Sequence, residues 1–128
     1  MSNALVLDAS AWVELLLAEA ASVRIADRVE DHALHAPGHI DLEMLSAFGR
    51  LERSGALTSA EVDARLGAAA TIPITRHALP DLAAGAWSRR SSLRISDAFY
   101  VELAARLNVP LITTDRRLAS ATPHAEVI

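Results

Sequence analysis

Residues 93–118 read LRISDAFYVELAARLNVPLITTDRRL, and the reading of this stretch decides the fold. Its pattern predicts a short helix followed by a buried strand. Ser96 suits an N-cap, which places Asp97 in the first turn, where a carboxylate meets the positive end of the helix dipole. Asn108 suits a left-handed closing residue, and Pro110 stops the helix from continuing. Leu111, Ile112 and Thr113 form an apolar run of the kind found in parallel strands covered on both faces. Asp115 follows at the strand's C-terminal end, the edge of an open parallel sheet where ligands bind. Asp97 lies in line with Tyr100, Val101 and Ala104 of the predicted inward stripe. Glu102 and Arg106 fall opposite, spaced to pair across solvent. A carboxylate on the core side has to be neutralised, hydrogen-bonded or matched by a cation. Taken alone, Asp97 needs no role beyond its own helix end; the other acids of the chain change that.

Working outward, Leu5, Val6 and Leu7 read as a first buried strand, with Asp8 at its end as Asp115 ends the later one. Ser10 then caps a helix over Ala11 to Leu17. A second helix is expected over Ala20 to Asp31, with Val23, Ile25, Ala26 and Val29 inward. Leu34 to Ala36 reads as a brief strand ended by Pro37 and Gly38. Residues 39–53, HIDLEMLSAFGRLER, predict a third helix stopped near Ser54 and Gly55. Met44, Leu45, Phe48 and Leu51 share one face, and Glu43 sits beside it, aligned with Ser46, Ala47 and Arg50. Thr58 and Glu61 form a capping box for a helix to about Ala70. Ile72 to Ile74 reads as a strand, and Ala78 to Ser88 as a helix packed through Leu79, Leu82, Ala83 and Trp87. Glu126 to Ile128 reads as an edge strand. Strands alternating with helices argue an α/β fold with a parallel sheet, and 128 residues argue a single domain over 1–128.

The chain is 52% hydrophobic and 22% charged, enough for a real core and too ordered in pattern for disorder. It has no cysteine, which excludes disulfides and thiolate metal sites. No signal-peptide pattern and no apolar run of about 20 residues is present, so a cytoplasmic protein with no membrane span is expected. The net charge is −4, and all 12 basic residues are arginine. Residues 76–117 carry Arg76, Arg89, Arg90, Arg94, Arg106, Arg116 and Arg117 against Asp81, Asp97, Glu102 and Asp115. With Asp97 and Asp115 committed to a cation, that segment is basic. Such arginines either grip phosphate through their planar fork or form an ordinary solvated surface.

Asp8 and Asp115 both end strands, and Asp97 starts a helix. Parallel topology gathers these positions at one sheet edge, with Glu43 able to join them. Two carboxylates about 5 Å apart repel by roughly 3 kcal/mol at an effective dielectric of about 20. Such a cluster raises its own pKa values or recruits a cation. Hard oxygen donors without cysteine or paired histidines select Mg2+ or Mn2+. A carboxylate-held Mg2+ beside arginines is what phosphodiester hydrolysis needs. His32, His35 and His39 lie close in sequence, but a strand and a Pro-Gly turn separate them, and a metal role is not expected. Trp12 and Trp87 read as core residues.

Four segments together are similar to one family: LVLDASAW at 5–12, DLEMLSAFGRL at 41–51, SDAFYVELA at 96–104 and LITTDRRLA at 111–119. In this order and over nearly the whole length, the chain resembles the PIN-domain ribonucleases, in particular the VapC-type toxins of toxin–antitoxin pairs. Matched position by position, the resemblance puts the family's acidic quartet on Asp8, Glu43, Asp97 and Asp115. Supporting hydroxyls fall on Ser10, which equally reads as a plain helix cap, and Thr113. It implies a PIN-like three-layer α/β/α sandwich with a mostly parallel central sheet, Mg2+-dependent cleavage of RNA (Mn2+ also suits), a cognate antitoxin and a homodimer. Asp8 and Asp97 would be the main metal ligands, with Glu43 and Asp115 completing the shell or orienting water. Arg116 and Arg117 are RNA-backbone candidates or surface residues of a short helix.

Two other classes compete. A phosphatase of another α/β class would use Asp8 as nucleophile, but the D-x-D pattern fails because position 10 is Ser, and a receiver-type phosphoacceptor lacks its lysine. A non-cutting PIN-like module that binds RNA or protein is disfavoured by carboxylates at all four positions.

Overall fold

A computed structural model of the chain describes residues 3–19 and 22–128. Among these residues are five strands, joined by one or two helices each, seven in all. They run β1 (Ala4–Leu7), α1 (Ala9–Leu17), α2 (Ser22–Val29), β2 (Ala33–Pro37), α3 (Ile40–Arg53) and α4 (Ser59–Ala69). Then follow β3 (Thr75–His77), α5 (Leu79–Ser88), α6 (Ile95–Leu107), β4 (Leu111–Thr113), α7 (Arg116–Ala121) and β5 (Ala125–Val127). The sheet order is β3-β2-β1-β4-β5, and every pairing is parallel.

That order fixes the layers. The chain steps from β1 to β2 to β3 in one direction, then returns past β1 to β4 and β5. Right-handed crossovers put α1–α4 on one face and α5–α7 on the other. The centre of the sheet is sealed on both sides: all four residues of β1 and all three of β4 are buried. Trp12, Tyr100, Leu5, Leu7, Val101, Leu111 and Ile112 are among the fully buried side chains there. The chain reverses between β1 and β4, so the crevice beyond their C-terminal ends is the topological switch point.

Several sequence expectations hold. Asn108 closes α6 in the left-handed region at φ 54°, and Thr58 with Glu61 forms the capping box of α4. Others shift. The third strand is Thr75–His77 rather than Ile72–Ile74: Pro73 lacks the N–H a ladder needs, and β2 pairs in the register His35↔Thr75. Ile72 and Ile74 pack on the core from the connection instead. The first and sixth helices start two residues early. Asp8, not Ser10, caps α1, and Arg94, not Ser96, precedes α6 without a side-chain cap bond.

Helix faces also differ from the periodicity reading. On α2, Ile25 is buried whereas Val23 and Ala26 are exposed; the expected start at Ala20 lies outside the described residues. On α3, Leu45 is exposed. On α5, Leu82 and Ala86 turn inward and Trp87 is 59% exposed, with the Arg90 guanidinium 4.4 Å from its ring centre. This helix meets α6 through its small residues: a Cβ at Gly85 would collide with the Glu102 carboxylate. Glu102 is therefore half-buried between helices rather than in open solvent, held by Arg106 at 2.7 Å and Arg89 at 3.2 Å. Among the described residues no helix is long and apolar enough to cross a membrane.

Candidate active site

The crevice beyond β1 and β4 holds a cavity of about 360 Å3 lined by Asp8, Glu43, Asp97 and Asp115, with Ser10, Tyr100, Arg50 and Arg94. Each acid arrives from a different element: Asp8 from the β1–α1 junction, Glu43 from the first turn of α3, Asp97 from the first turn of α6 and Asp115 from the β4–α7 junction. Chain segments more than a hundred residues apart thus meet because strand ends and helix starts share one edge of a parallel sheet.

Asp8 is the deepest, 6% exposed. Its Oδ1 accepts from the Ala11 N–H at 2.9 Å and the Ser10 hydroxyl at 2.6 Å. Its Oδ2 accepts from the Thr113 hydroxyl at 2.5 Å. Thr113, wholly buried on β4, in turn accepts from the Asp115 N–H at 2.9 Å. The Ser10 oxygen accepts from the Thr114 N–H at 3.0 Å. The two hydroxyls named from the sequence therefore stitch the ends of β1 and β4 around one carboxylate. All of Asp8's donors are neutral, and among the described residues no arginine or histidine ion-pairs with it. Burial raises its pKa above the ordinary carboxylate value, against the three hydrogen bonds that lower it, with the Asp97 charge adding a smaller upward push.

The other three acids have partners of their own. Asp97 faces the Arg94 guanidinium at 3.1 Å. Asp115 caps α7 through the Arg117 N–H at 2.9 Å and lies 3.7 Å from the Arg117 side chain. Glu43 is gripped from α6, by the Tyr100 hydroxyl at 2.6 Å and the Ser96 hydroxyl at 2.6 Å. Tyr100 is 1% exposed, and burial first, then its bond to Glu43, pushes its pKa far above the ordinary phenol value. Among the described residues no three histidines or acids close into a ready metal-binding group. The four carboxylates line the cavity together, each engaged by partners of its own.

The expected arginines divide. Arg117 lines a neighbouring hollow with Arg94, Asp97 and Asp115, and Arg116 is exposed at the start of α7. Arg50 and Arg94, neither of them among the two RNA-backbone candidates, line the main cavity. Arg50 has no ion-pair partner among the described residues. The signal for it was present: Arg50 falls two turns beyond Glu43 on the same face of α3. Tyr100 and Ser96 were missed because a hydroxyl's partner across helices leaves no trace in sequence spacing. The three neighbouring histidines have different partners. His32 bonds the Glu30 carbonyl at 2.7 Å, His35 meets His77 at 2.9 Å, and His39 lies 3.4 Å from Glu43.

Comparison with known proteins identifies the family of the fold. The PIN domain family model matches residues 5–122. The chain is 52% identical to Ribonuclease VapC3 of Mycobacterium tuberculosis over 126 residues, covering 96% of this chain and 90% of that one. It is 36% identical to Ribonuclease VapC12 of the same organism over 120 residues, covering 94% and 93%. Its fold matches the crystal structure of PAE2754 from Pyrobaculum aerophilum with a TM-score of 0.69 and 23% identity, over 95% of this chain and 81% of the other. Sequence, topology and the acid-lined switch point thus converge: the chain belongs to the PIN-domain family and, within it, to the VapC ribonucleases.

Proposed function

We propose that this protein, one PIN domain over residues 1–128, is a metal-dependent endoribonuclease and the toxin of a toxin–antitoxin pair. The observation that carries the reading is the deeply buried Asp8 carboxylate, which holds only neutral donors at the floor of a cavity shared with three more acids. A buried anion without a countercharge is costly, and a divalent cation supplies the missing charge. The all-oxygen donor set fits Mg2+, with Mn2+ also suitable.

Asp8 and Asp97 would be the main ligands, with Asp115 and Glu43 completing the shell or orienting water. When bound, the ion supplies a water of lowered pKa and positive charge against the phosphate. The chain's own residues do the rest. Ser10 and Thr113 keep Asp8 turned into the cavity. Arg50, without an ion-pair partner among the described residues, can grip a phosphate oxygen of the RNA backbone. Arg116 and Arg117 can hold neighbouring phosphates. Water attacks phosphorus, the bond to the leaving oxygen breaks, a carboxylate at the cavity takes the water's proton, and the leaving oxygen is protonated from solvent. A cognate antitoxin, a homodimeric state and a cytoplasmic location complete the reading.

The test uses purified protein with total RNA, with Mg2+ and with EDTA. Discrete cuts in Mg2+ that vanish in EDTA and in Asp97→Asn, with the fold retained, support it; cutting unchanged by either removes the metal role. Expression in cells with and without the adjacent small open reading frame tests the toxin assignment. Growth arrest relieved by the neighbour is the expected result.

A further inference from the structure

Glu43 is held in a manner that metal coordination by itself does not require, and the hold comes from another helix. Its Oε1 accepts from Tyr100 Oη and its Oε2 from Ser96 Oγ, each at 2.6 Å. Both oxygens are therefore engaged by hydroxyls of α6, one residue before and three residues after Asp97. His39 adds a third tie. Its Nε2 lies 3.1 Å from the Ser96 carbonyl and 3.4 Å from Glu43 Oε1. The Ser96 carbonyl can only accept, so Nε2 is the donor to it, while among the described residues Nδ1 is buried without a partner. The His39 ring is steadied between Phe99 and Tyr100, with ring centres 5.3 and 4.8 Å away.

Tyr100 is the unusual member. It is 1% exposed, yet its hydroxyl points to the acid-lined cavity instead of the core. A phenylalanine would fill the same core volume without placing a buried hydroxyl among carboxylates. An unheld glutamate on a helix surface samples several rotamers. The Tyr100–Ser96 pair removes that freedom and leaves Glu43's remaining lone pairs directed at the cavity, where its side chain is still 32% exposed.

We infer that Tyr100 is a positioning residue for RNA cleavage: with Ser96 it fixes the Glu43 carboxylate toward the cavity it shares with Asp97, so that α3 presents this acid in one orientation to the metal and its water. Such outer partners of metal-site groups typically change affinity or activity by about 10–100-fold when removed. The inference rests on the nuclease reading above, and its test separates the two.

Tyr100→Phe is compared with wild type by circular dichroism, by cleavage kinetics on RNA and by Mn2+ titration followed by electron paramagnetic resonance. The spectrum stays unchanged, kcat falls about 10-fold or more, KM for RNA moves less than about twofold, and Mn2+ affinity drops several-fold. Ser96→Ala gives the same pattern more weakly. On a Glu43→Gln background Tyr100→Phe adds little further loss of Mn2+ affinity, because its effect runs through Glu43. Wild-type kcat and Mn2+ affinity in Tyr100→Phe, or a full second loss on Glu43→Gln, overturns the inference. Should wild type fail to cut RNA, the nuclease reading falls, and the Mn2+ titration still decides whether Tyr100 acts through Glu43.

Discussion

At the β1–α1 and β4–α7 junctions the chain builds the same local device. An aspartate follows a parallel strand and caps the next helix: Asp8 accepts from the Ala11 N–H and Asp115 from the Arg117 N–H, both at 2.9 Å. The surroundings then diverge. Asp8 sits at the end of β1, beside β4, receives two side-chain hydroxyls and has no ion-pair partner among the described residues. Asp115 sits nearer the rim, its side chain 25% exposed, with the Arg117 guanidinium at 3.7 Å. One carboxylate is buried and its pKa is raised by burial; the other is partly exposed beside an arginine. Similar local chemistry thus yields a buried carboxylate held by neutral donors at the floor and a part-exposed carboxylate beside an arginine at the rim.

The largest expected effect falls on the floor. Asp8→Asn abolishes RNA cleavage and stabilises the metal-free fold, since the amide needs no countercharge. The melting temperature in EDTA rises by about 3–6 °C per kcal/mol relieved at this chain length. A fall in melting temperature would show that the Asp8 charge is already compensated. The same comparison sets a pH dependence. Because the folded-state pKa of Asp8 is raised, its favourable contribution is complete below the unfolded value near 3.8 and is lost as pH rises through the folded value. Urea titrations of metal-free protein should show this component in wild type and not in Asp8→Asn; equal pH profiles would remove it.

At the rim, Asp115→Asn lowers cleavage by about tenfold or more but leaves the metal-free melting temperature within about 2 °C. A stabilisation matching that of Asp8→Asn would erase the distinction between the two sites. Thr113→Val acts on the link between them. It removes a donor from Asp8 and an acceptor from the Asp115 N–H, and should cost about 1–3 kcal/mol in urea unfolding with the m-value unchanged. The smallest effect belongs to Arg117→Ala. Stability shifts by less than about 0.5 kcal/mol, as for an exposed ion pair, while the salt slope of RNA binding falls by about one unit. An unchanged slope would separate Arg117 from the RNA path.

Much of the architecture could be read in one dimension because it rests on local rules. Asn108 with Pro110, Thr58 with Glu61, and the apolar runs at Leu5 and Leu111 each state their structure within a few residues. Parallel alternation implies the shared edge, which places Asp8, Asp97 and Asp115 together from the sequence alone. What failed were faces and starts. Val23, Leu45 and Trp87 read as inward because periodicity identifies an apolar stripe without saying what will cover it. Trp87 lost its place on α6 to Gly85 and Ala86, which permit the closer approach that seats Glu102. Ser10 and Ser96 read as caps because serine is a good cap. In the fold both hydroxyls turn away to carboxylates, of Asp8 and Glu43, that the sequence could not place within reach.

By itself the sequence determined the alternation of strands and helices, the parallel sheet and the three acids at its C-terminal edge, since these follow from hydrophobic period, breakers and topology. Only the tertiary structure decided which acid is buried, which are met by arginines and which is clamped by a tyrosine. Burial depth and cross-element hydrogen bonds depend on how α1, α3 and α6 close over the ends of β1 and β4, and no spacing along a single chain encodes the distance between two helices that meet only after folding.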